Sequence, residues 1–176
     1  MIRIREAKIQ DSAAIARVHI DSWRTTYKGI VSDNYLSAMS FPKRKQNWEE
    51  FFQDTDHLQF AFVAEVENDQ IIGFASGGVN RNETTDYQGE LYAIYILREY
   101  QGKGIGRQLT EAIAKRLFQE GKRSMWVWVL ERNPACRFYE SLGGKRVYQK
   151  EIDIGDKTLI EVAYGWSDIK NLFKAA

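Results

Sequence analysis

The chain has 176 residues, 44% of them apolar and 28% charged, with 25 basic against 24 acidic side chains; this is about one domain's length, 1–176, and the composition of an ordinary globular protein. A formal charge of +1 supplies no field to recruit a polyanion, so nucleic acid and anionic membranes are disfavoured as partners, and any anion must be gripped locally. One cysteine and two histidines exclude an internal disulfide and argue against a metal centre. The apolar runs 91–97 and 125–130 fall far short of the roughly 18 residues of a membrane span, and the opening Met1-Ile2-Arg3-Ile4-Arg5 starts no signal-peptide stretch, so the cytoplasm is the expected location.

In chain order, Ile2, Ile4, Ala7 and Ile9 read as a first strand, followed by a helix from Asp11 or Ser12 to about Tyr27. On one face of that helix His19, Trp23 and Tyr27 recur at four-residue spacing. Ser32-Asp33 and Ser40-Phe41-Pro42 read as caps of two further helices, the second carrying Trp48, Phe51 and Phe52 on one side. Segments 60–66 and 71–79 form an antiparallel hairpin around Glu67-Asn68-Asp69-Gln70, and a third strand is expected over 90–97. Ile105, Leu109, Ala112, Ile113 and Leu117 keep a helical period that Gly121 stops. Residues 124–130 alternate Met125, Val127 and Val129 with Trp126, Trp128 and Leu130, the two-sided apolarity of an interior strand. Strand, helix and strand make one right-handed βαβ unit. Asn133-Pro134 opens a short helix ending at Gly143-Gly144, and a hairpin, 145–153 and 157–166, closes the chain at Gly155-Asp156. The expected architecture is α/β: a mixed, mostly antiparallel sheet of about seven strands, one central parallel pair, and helices on both faces.

Gln101-Gly102-Lys103-Gly104-Ile105-Gly106-Arg107 joins a strand to a helix. Glycines let backbone approach a ligand, successive N–H groups point inward, and the helix dipole favours negative charge, so this turn reads as an anion cradle suited to a phosphate or pyrophosphate. A P-loop is excluded because Lys103 is followed by Gly104 where Ser or Thr is needed. A dinucleotide fingerprint needs a small residue at Arg107 and further βαβ units, yet Glu131 at the end of the next strand keeps that alternative open. Cys136, without a neighbouring base, reads as a packed residue, His19 as packing or a proton shuttle, and Lys43-Arg44-Lys45 as a solvated face.

With Gln101, Gly104 and Gly106 directly after a strand, the Asn133-Pro134-Ala135-Cys136-Arg137-Phe138-Tyr139 helix start and the closing hairpin, the chain resembles the GNAT superfamily of acetyl-CoA-dependent N-acetyltransferases over nearly its whole length. The resemblance implies that the two central parallel strands splay and that pantetheine lies between them. It implies that Arg98, Gln101, Gly102, Lys103, Gly104, Ile105, Gly106, Arg107 and Asn133 hold coenzyme A, with no metal. The Ile96 N–H would meet the thioester carbonyl as its oxygen becomes anionic. Tyr139 would serve the leaving thiolate as an acid, and Glu90, at the start of the signature strand, would be the base that frees an amine lone pair. Tyr92, two residues on, shares its face and would position a water or the amine. Trp23, Tyr27, Tyr148 and Trp166 are nominated for the acceptor wall.

The expected reaction is direct transfer of acetyl to a primary amine of a small molecule or peptide in a ternary complex. A non-catalytic acyl-CoA-binding module is the alternative from another class. The exposed hairpins and aromatic surface are compatible with a homodimer.

Overall fold

The computed structural model describes residues 1–55 and 57–173. One sheet of seven strands is built from β1 (Arg3–Glu6), β2 (Gln59–Glu65), β3 (Ile71–Val79), β4 (Gly89–Ile96), β5 (Met125–Leu130), β6 (Lys145–Ile154) and β7 (Lys157–Trp166), in the spatial order β1-β2-β3-β4-β5-β7-β6. β4 and β5 are the parallel pair, and every other pairing is antiparallel. The helices are α1 (Ser12–Thr26), α2 (Asp33–Ser37), α3 (Phe41–Gln53), α4 (Ile105–Gln119) and α5 (Ala135–Ser141). The expected class is the observed one, and β5 lies inside the sheet as its two-sided apolarity requires.

The first strand is shorter than its apolar alternation suggests. It stops at Glu6, and Ile9–Asp11 form a single 3-10 turn. Asp11 explains the stop, because its carboxylate accepts the Lys8 N–H at 2.8 Å and both terminal nitrogens of Arg5, offering the backbone an alternative to the ladder. The Ser32 and Ser40 hydroxyls cap α2 and α3 by accepting the Tyr35 and Lys43 N–H groups, as their positions in the sequence predict.

Side chains of the sheet alternate between two cores. One face carries Ala61, Val63 and Phe74 against Ile15, Val18 and Trp48 of α1 and α3. The other carries Ala64, Ile72, Leu91, Val127 and Val129 against α4. Ile105, Leu109, Ile113 and Leu117 of α4 are all at most 1% exposed; at about 1.5–3 kcal/mol per buried aliphatic side chain, this stripe alone contributes roughly 6–12 kcal/mol of gross stabilisation. A third cluster joins Tyr27, Ile30, Val31 and Leu36 to Ile152, Ile154 and Leu159 of the closing hairpin. The segment after α1 is thereby clamped onto the far end of β6 and β7, across one end of the central strands.

Candidate active site

β4 and β5 pair only at Gly89–Met125, Glu90–Trp126 and Leu91–Val127. Beyond Leu91 they part. Part of the cause lies in β4, where the pairing with β3 steps from Gly77–Leu91 to Ser76–Ala93 and leaves Tyr92 as an extra residue; a bulge of this kind bends and twists its strand. The gap is a cleft of about 630 Å³ bounded by residues 92–96 of β4, 127–129 of β5, the turn before α4, and Asn133, Phe138 and Tyr139.

The open edge of β4 carries polar groups. The Leu97 N–H donates to the Ile72 carbonyl at 2.9 Å, on the β3 side. Amides alternate along a strand, so the Ile96 N–H and C=O face the cleft. The Ile96 carbonyl accepts the Gln101 side-chain amide at 3.0 Å. Gln101 therefore ties the glycine turn to the strand end. In the turn, Gly102 and Gly104 have φ of +73° and +78°, and a Cβ on either would meet nothing within 4 Å. Glycine is needed here for the left-handed backbone, with open space in front of it. Gly104 is the N-cap of α4, whose first-turn N–H groups have no acceptor inside the helix. Arg98 and Arg107 flank them in the cleft wall. A diphosphate fits this donor set in charge and shape. Gly106 brings α4 against α5, since a Cβ there would lie 3.1 Å from Phe138 Cζ.

At the inner end of the cleft, Asn133 is held from both sides. Its Oδ1 accepts the Ala135 N–H at 2.9 Å, capping α5, and its Nδ2 donates to the Tyr27 hydroxyl at 3.2 Å. That hydroxyl is also 3.2 Å from the hydroxyl of Tyr95. Tyr139 is 4% exposed, with rings of Phe138, Tyr164 and Trp166 around it. Burial pushes its phenol well above the usual tyrosine range, so it stays protonated and keeps a proton to donate. His19 stacks on Tyr95 with ring centroids 5.1 Å apart. Burial drives its pKa down to about 3, so it is a neutral packing residue at physiological pH.

Glu90 has a different setting from the one expected of a base. It is 4% exposed, and its carboxylate accepts the Arg81 N–H at 3.1 Å, Nε at 3.2 Å and Nη2 at 2.6 Å. Lone pairs so occupied are not free to take a proton from an amine. Arg81 also lies over the Tyr92 ring at 3.9 Å. Tyr92 does share the side of Glu90, but its hydroxyl donates to the Val79 carbonyl at 2.6 Å, and burial pushes its pKa up to about 12. Arg81, Asn82, Glu83, Glu90, Tyr92, Trp128, Lys150 and Glu161 bound a second recess, about 660 Å³, which shares Tyr92 and Trp128 with the cleft.

Of the residues singled out from sequence, Tyr27, Tyr92, Ile96, Arg98, Gln101, Gly102, Gly104, Gly106, Arg107, Asn133 and Tyr139 converge on the cleft. Ile105 faces the core at 1% exposed, so only its backbone can contribute. The Lys103 ammonium lies 5.1 Å over the Tyr100 ring. Trp23 stands behind Tyr27, between it and Tyr35. Tyr148 is 47% exposed and touches Trp126 edge-on. Trp166 is not an acceptor-wall residue, because it is buried behind Tyr139 with its indole N–H on the Leu142 carbonyl. Trp128, Lys150, Arg81 and Glu161 line the second recess without having been nominated for the site from sequence. The alternating pattern of β5 put Trp128 on a defined face, but nothing local announced the three charged residues. Among the described residues no group of three or more His, Cys, Asp or Glu is placed to hold a metal, and no helix is long and apolar enough to cross a membrane.

A glycine cradle at a helix start, a parted parallel pair and a buried phenol define an acyl-transfer cleft for a phosphate-bearing donor. Residues 20–144 match the Acetyltransferase (GNAT) family. The chain is 42% identical over 172 residues to YuaI, an uncharacterized N-acetyltransferase of Bacillus subtilis, covering 98% of this chain and 96% of that one. It is 26% identical over 147 residues to a spermidine N(1)-acetyltransferase of Thermoplasma acidophilum, covering 82% and 88%. The structure of the PaiA N-acetyltransferase of Thermoplasma acidophilum in complex with coenzyme A shares the fold, with a TM-score of 0.70 at 22% identity over 92% of this chain and 98% of that one. The chain belongs to the GNAT family and is an acetyl-CoA-dependent N-acetyltransferase. One parallel pair in an otherwise antiparallel sheet also removes the dinucleotide alternative, which needs successive βαβ units.

Proposed function

We propose that this protein moves an acetyl group from acetyl-CoA onto a primary amine, of a small molecule or a protein N-terminus, by direct attack within a ternary complex. The parting of β4 from β5 beyond Leu91 and Val127, beside the glycine turn, carries this reading. In it, backbone amides from Gly102 to Arg107 hold the diphosphate, with Arg98, Lys103 and Arg107 as counter-charges and Gln101 fixing the turn. Asn133 orders the start of α5 against the coenzyme. When bound, acetyl-CoA supplies the activated acyl carbon. The Ile96 N–H, facing the cleft, stabilises the carbonyl oxygen as it gains charge; one such preorganised donor is worth about 3–4 kcal/mol in comparable sites.

Tyr139 meets the departing sulfur as a hydrogen-bond donor. Its burial makes the phenolate costly, so its part is to stabilise the thiolate rather than to ionise freely. Tyr27, bonded to Asn133 and close to Tyr95, closes the inner end. The Glu90–Arg81 pair shapes the acceptor side, and its role here is to order the recess wall rather than to act as the base. Among the relatives, the spermidine enzyme acts on a small polyamine by its name, which supports a small cationic amine here. We place the activity in the cytoplasm, with residues 1–176 acting as one unit and a homodimer as a compatible assembly.

Calorimetry with coenzyme A, followed by thiol release from acetyl-CoA across a panel of amines and N-terminal peptides, tests the proposal. Saturable binding with amine-dependent thiol release is expected. Absence of coenzyme A binding overturns it, and binding without turnover on any amine would return the non-catalytic module.

A further inference from the structure

The second recess contains an ammonium already in place. Lys150 Nζ lies 4.2 Å over the ring of Trp128 and 3.5 Å from Glu161 Oε2. An aromatic face and a carboxylate together form the usual surroundings of a bound alkylammonium. Lys150 reaches this position from the edge strand β6, where its side chain is 48% exposed, while that of Glu161 is 17% exposed. The occupant is therefore a flexible tether from the rim, and the carboxylate is the fixed, half-buried part. Trp128 also lines the cleft, so this seat is contiguous with the space beside the parted strands. Glu161 stands opposite Leu130 of β5 in the sheet register, at the same end as Tyr27.

The two carboxylates facing the recess from β4 and β7 are not equivalent. Glu90 is engaged three times by Arg81, whereas among the described residues the Glu161 carboxylate is paired with the displaceable Lys150 alone. We infer that Trp128 and Glu161 form the seat for the amine of the acetyl acceptor, that Lys150 is an internal guest which the acceptor displaces, and that Glu161 accepts the proton the ammonium must lose. This rests on the acetyltransferase reading and names its acceptor class: an alkylamine whose substituents are neutral or cationic. With Lys150 swung out, Glu161, Glu83 and the Arg81-paired Glu90 leave the recess negative, so a second ammonium is welcome and a carboxylate is not.

The step balances without a co-reactant. An acceptor ammonium loses one proton to Glu161, which passes it to solvent through the open recess. The nitrogen lone pair then forms the bond to the acyl carbon, the carbon–sulfur bond breaks, and the second nitrogen proton ends on the sulfur beside Tyr139. The product amide keeps the third. Groups facing Glu161 are Lys150 on β6, Glu90 on β4, Arg81 in the loop between β3 and β4, and Tyr27 after α1. Burial raises the Glu161 carboxyl above its ordinary range, Lys150 and Arg81 lower it, and Glu90 raises it.

The test uses the full chain, with butane-1,4-diamine and 4-aminobutanoate as matched acceptors differing in one terminal charge. The diamine should have a kcat/KM at least about tenfold higher, a free-energy difference of about 1.4 kcal/mol, and should bind the coenzyme A-loaded protein in calorimetry. Glu161→Gln should weaken diamine binding about tenfold and abolish the acidic limb of the pH–rate profile, with coenzyme A binding intact. Lys150→Met should lower the diamine KM and move the acidic limb to higher pH, because the cation that lowers the Glu161 carboxyl is gone. Preference for 4-aminobutanoate, failure of the diamine to bind, or an unaltered profile in Glu161→Gln each overturns the inference when coenzyme A still binds. Loss of coenzyme A binding by the unmutated chain would instead strike the acetyltransferase reading itself.

Discussion

Gly104→Val perturbs the cradle at a point where no packing is disturbed. Gly104 has φ of +78°, and a Cβ there meets nothing within 4 Å, so the penalty is conformational. Left-handed backbone costs an L-residue about 1–2 kcal/mol, and valine, being β-branched, belongs at the upper end. Gly102 and Gly104 are exposed and a Cβ on either meets nothing within 4 Å; the Gly104 carbonyl accepts the Gln108 N–H at 3.2 Å, so in the free variant the turn relaxes to negative φ around that bond and binding must rebuild the bend. At about 2 kcal/mol only about one molecule in thirty keeps the competent turn, which raises the coenzyme A Kd about 30-fold. Gly29→Val is the matched control, with φ of +79°, nothing within 4 Å of its Cβ, and a position between α1 and α2 that is not itself part of the cleft wall. Its Kd should stay at the wild-type value. Calorimetry with coenzyme A on both variants, alongside thermal unfolding, separates strain carried by the fold from strain carried by binding. In a chain of this size about 2 kcal/mol held in the native state shifts Tm by about 4–8 °C, and relaxation of the 102–104 loop should keep Gly104→Val well inside that. A Kd for Gly104→Val within about threefold of wild type, which is under 1 kcal/mol, refutes the cradle.

Tyr139→Phe removes the donor while leaving its aromatic neighbours packed, so kcat should fall by about 10²-fold with the coenzyme A Kd unchanged; a kcat within a factor of a few of wild type in stopped-flow thiol detection would exclude Tyr139 from the step. Glu90→Gln breaks the clasp with Arg81, costing roughly 2 kcal/mol in urea unfolding, yet should retain the acidic limb of the pH–rate profile; loss of that limb would restore Glu90 as the base. His19, held near pKa 3 by burial, binds fewer protons folded than unfolded between about pH 3 and 6.5, so its contribution is complete above pH 6.5 and declines as pH falls. Between pH 7 and 5 the wild type should therefore lose about 2 kcal/mol more stability than His19→Phe, and equal losses in urea titrations would contradict a buried neutral imidazole.

How much of this was legible beforehand differs by element. Hydrophobic period and caps located α1, α3, α4, β5 and the closing hairpin, because each buries its own stripe or face and each end carries its own chemistry. The first strand was overextended because Asp11 recaptures the backbone through Arg5 and Lys8, a contact that alternation does not encode. The glycine turn was readable because its requirement, left-handed backbone before a helix, is local.

The sequence alone determined the order of elements, the sites of the bends at Gly102 and Gly104, and the residue types able to cradle an anion, since these depend on neighbours within a few positions. Tertiary structure alone decided which carboxylate is occupied and which is available. Glu90 meets Arg81 only once β3 and β4 are paired, and Glu161 meets Lys150, and shares a recess with Trp128, only through the register of β6, β7 and β5. Strand register is a long-range quantity fixed by the packed sheet, and a one-residue slip would send each of these side chains to the opposite face.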